Sequence, residues 1–173
     1  MAAVSLREAA ASMRSHAEEV EMYQRVLVPL EGEGGPEAHL RHAAQLAKEE
    51  GAELTLLRVV TVIPSDEYFF KRLQVEEGSS AAKNKREAEA YVARLAKDLE
   101  AQGVRAEPKV LISDQAEDEA IVSHAAEMAD DLIVLPRQRR SLISRWLQGN
   151  VTAKVLRRAT VPVLTVREER EAS

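Results

Sequence analysis

Cysteine is absent from the 173-residue chain, which excludes disulfide frameworks, thiolate nucleophiles, redox pairs and zinc sites built on sulfur. Aromatic residues are scarce as well. One Trp, three Tyr and two Phe supply no set of stacking platforms for single-stranded nucleic acid or adenine, so any base-binding pocket would be aliphatic. Positive charge is outnumbered: 24 Lys and Arg against 29 Asp and Glu give a formal net charge of -5, leaving no broad basic field to hold nucleic acid or an anionic membrane. Long apolar runs are missing too, since the stretch from Val59 to Ile63, interrupted by Thr61, is far short of the ~20 residues of a spanning helix. Arg7 and Glu8 stand where a secretory signal would be apolar, and Glu18, Glu19 and Glu21 do not suit a basic transit peptide. A cytoplasmic protein built on one compact domain is expected.

What is present alternates between two vocabularies. Runs of β-branched residues give way to Ala, Glu, Lys, Arg and Leu segments with apolar positions three and four apart, the mark of βαβ units. The strands are expected at Arg25 to Leu30, Leu54 to Ile63, Val104 to Ile112, Asp131 to Leu135 and Val161 to Val166. The helices between them begin near Pro36, Ser80, Ser113 or Asp114, and Asn150, with Gly103 stopping the second. Pro108 and Pro162 suit edge strands, while the second run is apolar enough for the interior. Right-handed crossovers then give an α/β fold, an open doubly wound five-stranded parallel sheet in order 3-2-1-4-5, with ligand sites at the carboxyl ends of its strands.

Residues 1–22 stand outside this pattern. Leu6, Ala10, Met13, Ala17 and Val20 fall on one helical stripe, and Ser5 with Glu8 resembles a capping box. An extra helix is expected there, needing a partner subunit or its own domain to pack on. The domain proper is read as 23–167, and 168–173 as a charged tail.

The segment DLIVLPRQRRSLISRWLQGNVTAKVLRRATVPVLTVR resembles the C-terminal half of the universal stress protein family, and RVLVPLEG, HAAQLAKEEGAELTLLRVV and SDQAEDEAIVSHAAEMADDLIVL agree with its first half. The resemblance runs from Tyr23 to Arg167 in the right order and spacing. It implies an adenine nucleotide alpha hydrolase-like fold and a dimeric cytoplasmic protein linked to stress survival, in a family whose members divide into those that bind ATP and those that do not. The binders resembled here carry Gly, two residues, Gly, nine residues, Gly, then Ser or Thr, whose amides and hydroxyl hold phosphates at a helix N-terminus. In this chain those positions read Pro136, Arg139, Gly149 and Asn150. Pro136 offers no amide donor and Arg139 adds a Cβ, so the cradle reads as degenerate. The family's Asp after the first strand is here Glu31, and Val59 and Val60 match the segment bordering adenine.

From Pro136 to Gly149 the chain carries Arg137, Arg139, Arg140 and Arg145 and no acidic residue. Guanidinium side chains could bind phosphate in place of the lost amides; the plain alternative is a solvated loop or one making ion pairs across a dimer. Trp146 reads as a packing anchor for this loop. His39 and His42, three apart, lack a third metal ligand in sequence and read as structural or exposed. His124 reads as a helix-surface residue, and Asp130 and Asp131 as turn and solvation residues. Ser79 and Ser80 suit a flexible connection as well as a phosphorylation site. No nucleophile has a visible activating base.

The expectation is therefore a non-enzymatic stress-response binding module with degenerate or absent ATP binding, a homodimer through its last strand, with no cofactor required. The alternative is an ATP-binding member with slow hydrolysis or autophosphorylation. Candidate residues for an anionic or nucleotide ligand are Glu31, Val60, Arg137, Arg139, Arg140, Gly149 and Asn150.

Overall fold

The structure, a computed structural model, describes residues 22–33, 37–61, 80–137 and 151–167. The expected N-terminal helix up to residue 21, the tail 168–173, and Trp146 and Ser79 lie outside the described residues. Among the described residues five strands and four helices alternate: β1 (Arg25–Pro29), α1 (Ala38–Glu50), β2 (Glu53–Thr61), α2 (Ser80–Glu100), β3 (Ala106–Ser113), α3 (Glu117–Glu127), β4 (Leu132–Arg137), α4 (Val151–Arg158) and β5 (Val163–Arg167). All pairings are parallel and the strand order is β3-β2-β1-β4-β5. The order read from the sequence is thus the observed one, with Pro108 on the edge strand β3 and Pro162 just before the edge strand β5.

Each face of the sheet has its own core. On one face Val26, Val28, Leu54 and Leu56 pack with Leu40, Ala43 and Ala47 of α1 and Tyr91, Val92 and Ala96 of α2. On the other, Leu27, Leu57, Ile133 and Leu135 pack with Ala120, Ile121 and Ala125 of α3 and Val151 and Val155 of α4. Successive strand residues point to opposite faces, which is why the buried central strands read as unbroken apolar runs rather than alternating ones. Asp118, buried at the start of α3, ties the second pair of helices together through Arg158 at 2.7 Å and Lys154 at 3.5 Å.

Several local readings are corrected. Helix α3 takes Ala116 as its N-cap with no side-chain cap; the Ser113 hydroxyl instead accepts the N–H of Gln115 at 3.0 Å. Three acidic residues, Glu117, Asp118 and Glu119, occupy its first turn and complement the positive end of the helix. His124 is buried rather than on the helix surface, and Asp130 is buried rather than solvated. Asp131 is a structural clamp: its carboxylate accepts the N–H groups of Gln24 at 2.7 Å and Arg25 at 3.2 Å, fixing the start of β1. Strand β4 also runs two residues further than expected, through Pro136 and Arg137.

Candidate ligand cleft

In an open parallel sheet the crevice for a ligand lies beyond the carboxyl ends of the strands where the strand order reverses, here between β1 and β4. Beyond Pro29 the Leu30 N–H still donates to the Leu57 carbonyl at 2.8 Å, after which the chain turns at Glu31. Gly32 makes that turn with φ +115, a conformation L side chains rarely adopt, and a Cβ there would stand 3.5 Å from Arg58 Nε. The backbone therefore passes close over the Arg58 guanidinium.

Glu31, Gly32 and Glu33 form one wall of a cleft of about 470 Å³, with Arg58 and Val60 of β2 opposite and Glu87 and Tyr91 of α2 closing the side. Arg58 is buried on a strand whose other residues are almost all aliphatic or Thr. Its Nη1 donates to the Val59 carbonyl at 2.6 Å and faces Glu117 Oε1 at 3.4 Å. The sequence reading passed over Arg58, although a single guanidinium inside the run Leu54 to Val60 was the signal that could have found it. The cleft lining thus includes three carboxylates, Glu31, Glu33 and Glu87, and the Arg58 guanidinium, while Lys83 faces Glu87 at 3.8 Å from the same helix.

Helix α2 braces the β1–α1 loop. Arg94 Nη2 pairs with Glu33 Oε1 at 3.0 Å while its guanidinium sits 5.7 Å from the Tyr91 ring centroid. The Tyr91 hydroxyl donates to Glu37 Oε1 at 3.4 Å. Burial first, then the Glu37 carboxylate, push the Tyr91 hydroxyl up to about 12, so it remains a proton donor at physiological pH. His39 secures the loop from the other side: its Nε2–H donates to the Pro29 carbonyl at 2.9 Å, and burial pushes its pKa down to about 4. His39 is thereby a neutral structural histidine and His42 an exposed one, as the sequence suggested.

The phosphate side of the crevice is different. The Ile133 N–H donates to the Pro162 carbonyl toward β5, and the polar groups of successive strand residues alternate between neighbours. Pro136, three residues on, is therefore turned to the β1 side, past the two register pairs Val26↔Leu132 and Leu27↔Ile133 that join β1 to β4. That is the crevice itself, and Pro136 brings no N–H to it. Its carbonyl is taken by the buried Thr152 hydroxyl in the first turn of α4, at 3.2 Å. The described residues do not make a backbone cradle for phosphate there.

Of the sequence candidates, Glu31 and Val60 come together in the cleft. Arg137 is exposed at the end of β4 as the register partner of Arg167 and does not line the cleft. Arg139, Arg140, Gly149 and Asn150 lie outside the described residues. Among the described residues no group of three or more His, Asp and Glu is placed to hold a metal ion, and no helix is long and apolar enough to cross a membrane.

Known proteins agree with this architecture. The chain is 30% identical over 160 residues to the universal stress protein YxiE of Bacillus subtilis, covering 84% of this chain and 100% of that one. It is 28% identical over 157 residues to the universal stress protein MJ0531 of Methanocaldococcus jannaschii, covering 87% and 85% respectively. Among solved structures, a universal stress protein from Archaeoglobus fulgidus superposes with a TM-score of 0.62 at 20% identity, over 83% of this chain and 98% of that one. The universal stress protein from Archaeoglobus fulgidus in complex with dAMP superposes with a TM-score of 0.58 at 17% identity, over the same shares. The fold is the adenine nucleotide alpha hydrolase-like one, and the sequence model of the universal stress protein family matches residues 22–167, so this chain belongs to the universal stress protein family.

Proposed function

We propose that this protein is a non-enzymatic stress-response module that senses a small ligand or a partner, cytoplasmic and dimeric through β5, with its ATP site disabled on the phosphate side. The observation that carries the reading is Pro136: the β4 residue turned into the switch-point crevice has no amide to donate, and its carbonyl is already bonded to Thr152. Residual anion binding through the arginines that follow Pro136 would be a charge effect, screened within about 8 Å at physiological ionic strength.

A second reading has its own support. Glu31 and Val60, the residues matching the nucleoside end of the site in ATP-binding relatives, do line one cleft, and solved relatives hold dAMP or cAMP. In that reading the protein binds a nucleotide, with slow hydrolysis or autophosphorylation involving Glu31, the arginine loop, Gly149 and Asn150. Thermal unfolding with and without Mg-ATP separates the two, since a ligand at one hundred times its Kd adds about 2.7 kcal/mol. Unchanged unfolding at physiological salt supports the disabled site. Micromolar, salt-insensitive ATP binding by calorimetry overturns it.

A further inference from the structure

Among the described residues, the face of the sheet covered by α1 and α2 is left open along its middle. Helix α2 packs over β3 and β2, helix α1 over β4, β5 and β1, and each touches the strands far more than it touches the other. Between them runs a mainly apolar trough of about 470 Å³, with Leu40 and Ala44 on one wall, Leu95 and Leu99 on the other and Val104 at its end. Its rim carries Arg41 and Lys48 on α1 and Asp98 on α2. An apolar channel between two helices has the shape a third helix fills by packing its side-chain ridge into the groove.

We propose that residues 4–20 dock in this trough as an amphipathic helix of the same chain. The stripe Leu6, Ala10, Met13, Ala17 and Val20 is apolar and narrow, and its two alanines suit a shallow channel. The point of attachment agrees: the Met22 N–H donates to Glu50 Oε2 at 2.9 Å, two residues beyond Lys48 at one end of the trough, and Tyr23 packs against the core of this same face. Chain length agrees as well. Seventeen helical residues reach about 25 Å, whereas Leu40 to Lys48 spans about 12 Å of α1, at about 1.5 Å per residue. Charge is complementary at the attachment end, where Glu18, Glu19 and Glu21 arrive beside Lys48, whereas Arg14 comes near Arg41 and would have to turn toward Asp98 on the opposite rim. Because α2 also carries Tyr91 and Arg94, the filled trough supports the helix that braces the ligand cleft.

The absence of cysteine makes the test direct. Counting back from Met22 beside Glu50 sets Ala17 level with Gln45 and Met13 level with Arg41. In the full chain, Ala17→Cys with Gln45→Cys is expected to oxidise to an intramolecular disulfide that migrates as a monomer. The control pair Ala17→Cys with Glu119→Cys, whose second member lies on the opposite face of the sheet, is expected to stay reduced. A disulfide-linked dimer would place the segment on a second copy, and a pair that stays reduced would place it elsewhere; either overturns the proposal. Adding Met13→Glu and Val20→Glu to the cross-linking variant should abolish the bridge and raise the fluorescence of the dye ANS several-fold. Unchanged cross-linking and dye binding after those substitutions would likewise overturn it.

Discussion

The Thr152 hydroxyl donates to the Pro136 carbonyl across 3.2 Å, joining the first turn of α4 to the end of β4 at the lip of the switch-point crevice. A strand end that would otherwise offer backbone groups to a ligand is satisfied internally. Thr152→Val keeps the shape of the side chain and leaves a buried carbonyl without its donor, which costs about 1–3 kcal/mol. Urea unfolding should show that loss with an unchanged m-value, and no loss would mean the bond is not maintained in solution.

Two buried titrating groups pull stability in opposite directions with pH. Asp130 has both carboxylate oxygens buried without a hydrogen-bond partner, and burial, opposed by Arg25 and reinforced by Asp131 and Glu107, pushes its pKa up from 3.8 to about 6. A raised carboxyl favours the folded state most below its unfolded pKa, and that contribution is lost as pH rises through about 6. His39 is the reverse case: with a folded pKa of about 4 against 6.5, its contribution is full above 6.5 and is lost as pH falls toward 4. Between pH 4 and 6 the two slopes offset, each limited to about 1.4 kcal/mol per pH unit. Asp130→Asn should leave stability rising with pH across that window and exceed the wild type by about 1–3 kcal/mol at pH 8, where the unpaired carboxylate is removed. His39→Gln should tilt the profile the other way. Parallel profiles for all three proteins, from denaturant melts at each pH, would count against both assignments.

Much of the fold was legible because the strands are buried on both faces and therefore read as apolar runs, and because proline marks edges. What stayed hidden has local physical reasons. Pro136 looked like the end of β4, yet a strand tolerates proline where its missing N–H faces no partner strand, which is the case beyond Leu27↔Ile133. His124 and Asp130 have the composition of surface residues and are buried by the packing of α3 onto the sheet, which no local pattern announces. Arg58 was concealed by its aliphatic neighbours, and its burial is stabilised by Val59 and Glu117, the second of these distant in sequence. The cleft followed the same division: Glu31 and Val60 were picked out through the family resemblance, whereas Tyr91 and Arg94 belong to a helix whose register over the loop depends on tertiary packing.

Helix α3 ends with Ala129 at φ +54. The Asp130 N–H reaches the Ala125 carbonyl at 2.9 Å and the Ala129 N–H the Ala126 carbonyl at 3.4 Å, the bonding pattern of a Schellman end that ordinarily places glycine at the left-handed position. Alanine there carries a strain of about 1–2 kcal/mol, partly offset by the greater freedom glycine has in the unfolded chain. Ala129→Gly should therefore raise stability by about 0.5–1 kcal/mol, read as a higher urea midpoint with the m-value unchanged. A lower midpoint would show that the Ala129 methyl makes a compensating contact.

The last strand supplies the remaining prediction. β5 is an edge: it pairs with β4 from Val163 to Arg167 and its other side meets no strand among the described residues. Such an edge presents unpaired N–H and C=O groups, and an apolar one invites pairing with another chain. Leu164 is 39% exposed although it lies on the same face as the buried Val166, and Val163 and Thr165 are only half-buried. Pairing of β5 with its counterpart about a two-fold axis would cover both the backbone edge and Leu164 with one self-complementary contact. Light scattering should accordingly report a dimer at tens of micromolar, a range of order consistent with a modest edge interface. Leu164→Lys should convert it to a folded monomer with the same far-ultraviolet circular dichroism, because lysine on an edge opposes pairing and this position is already exposed. A wild-type monomer at that concentration, or a Leu164→Lys dimer of undiminished stability, would remove β5 as the dimer interface.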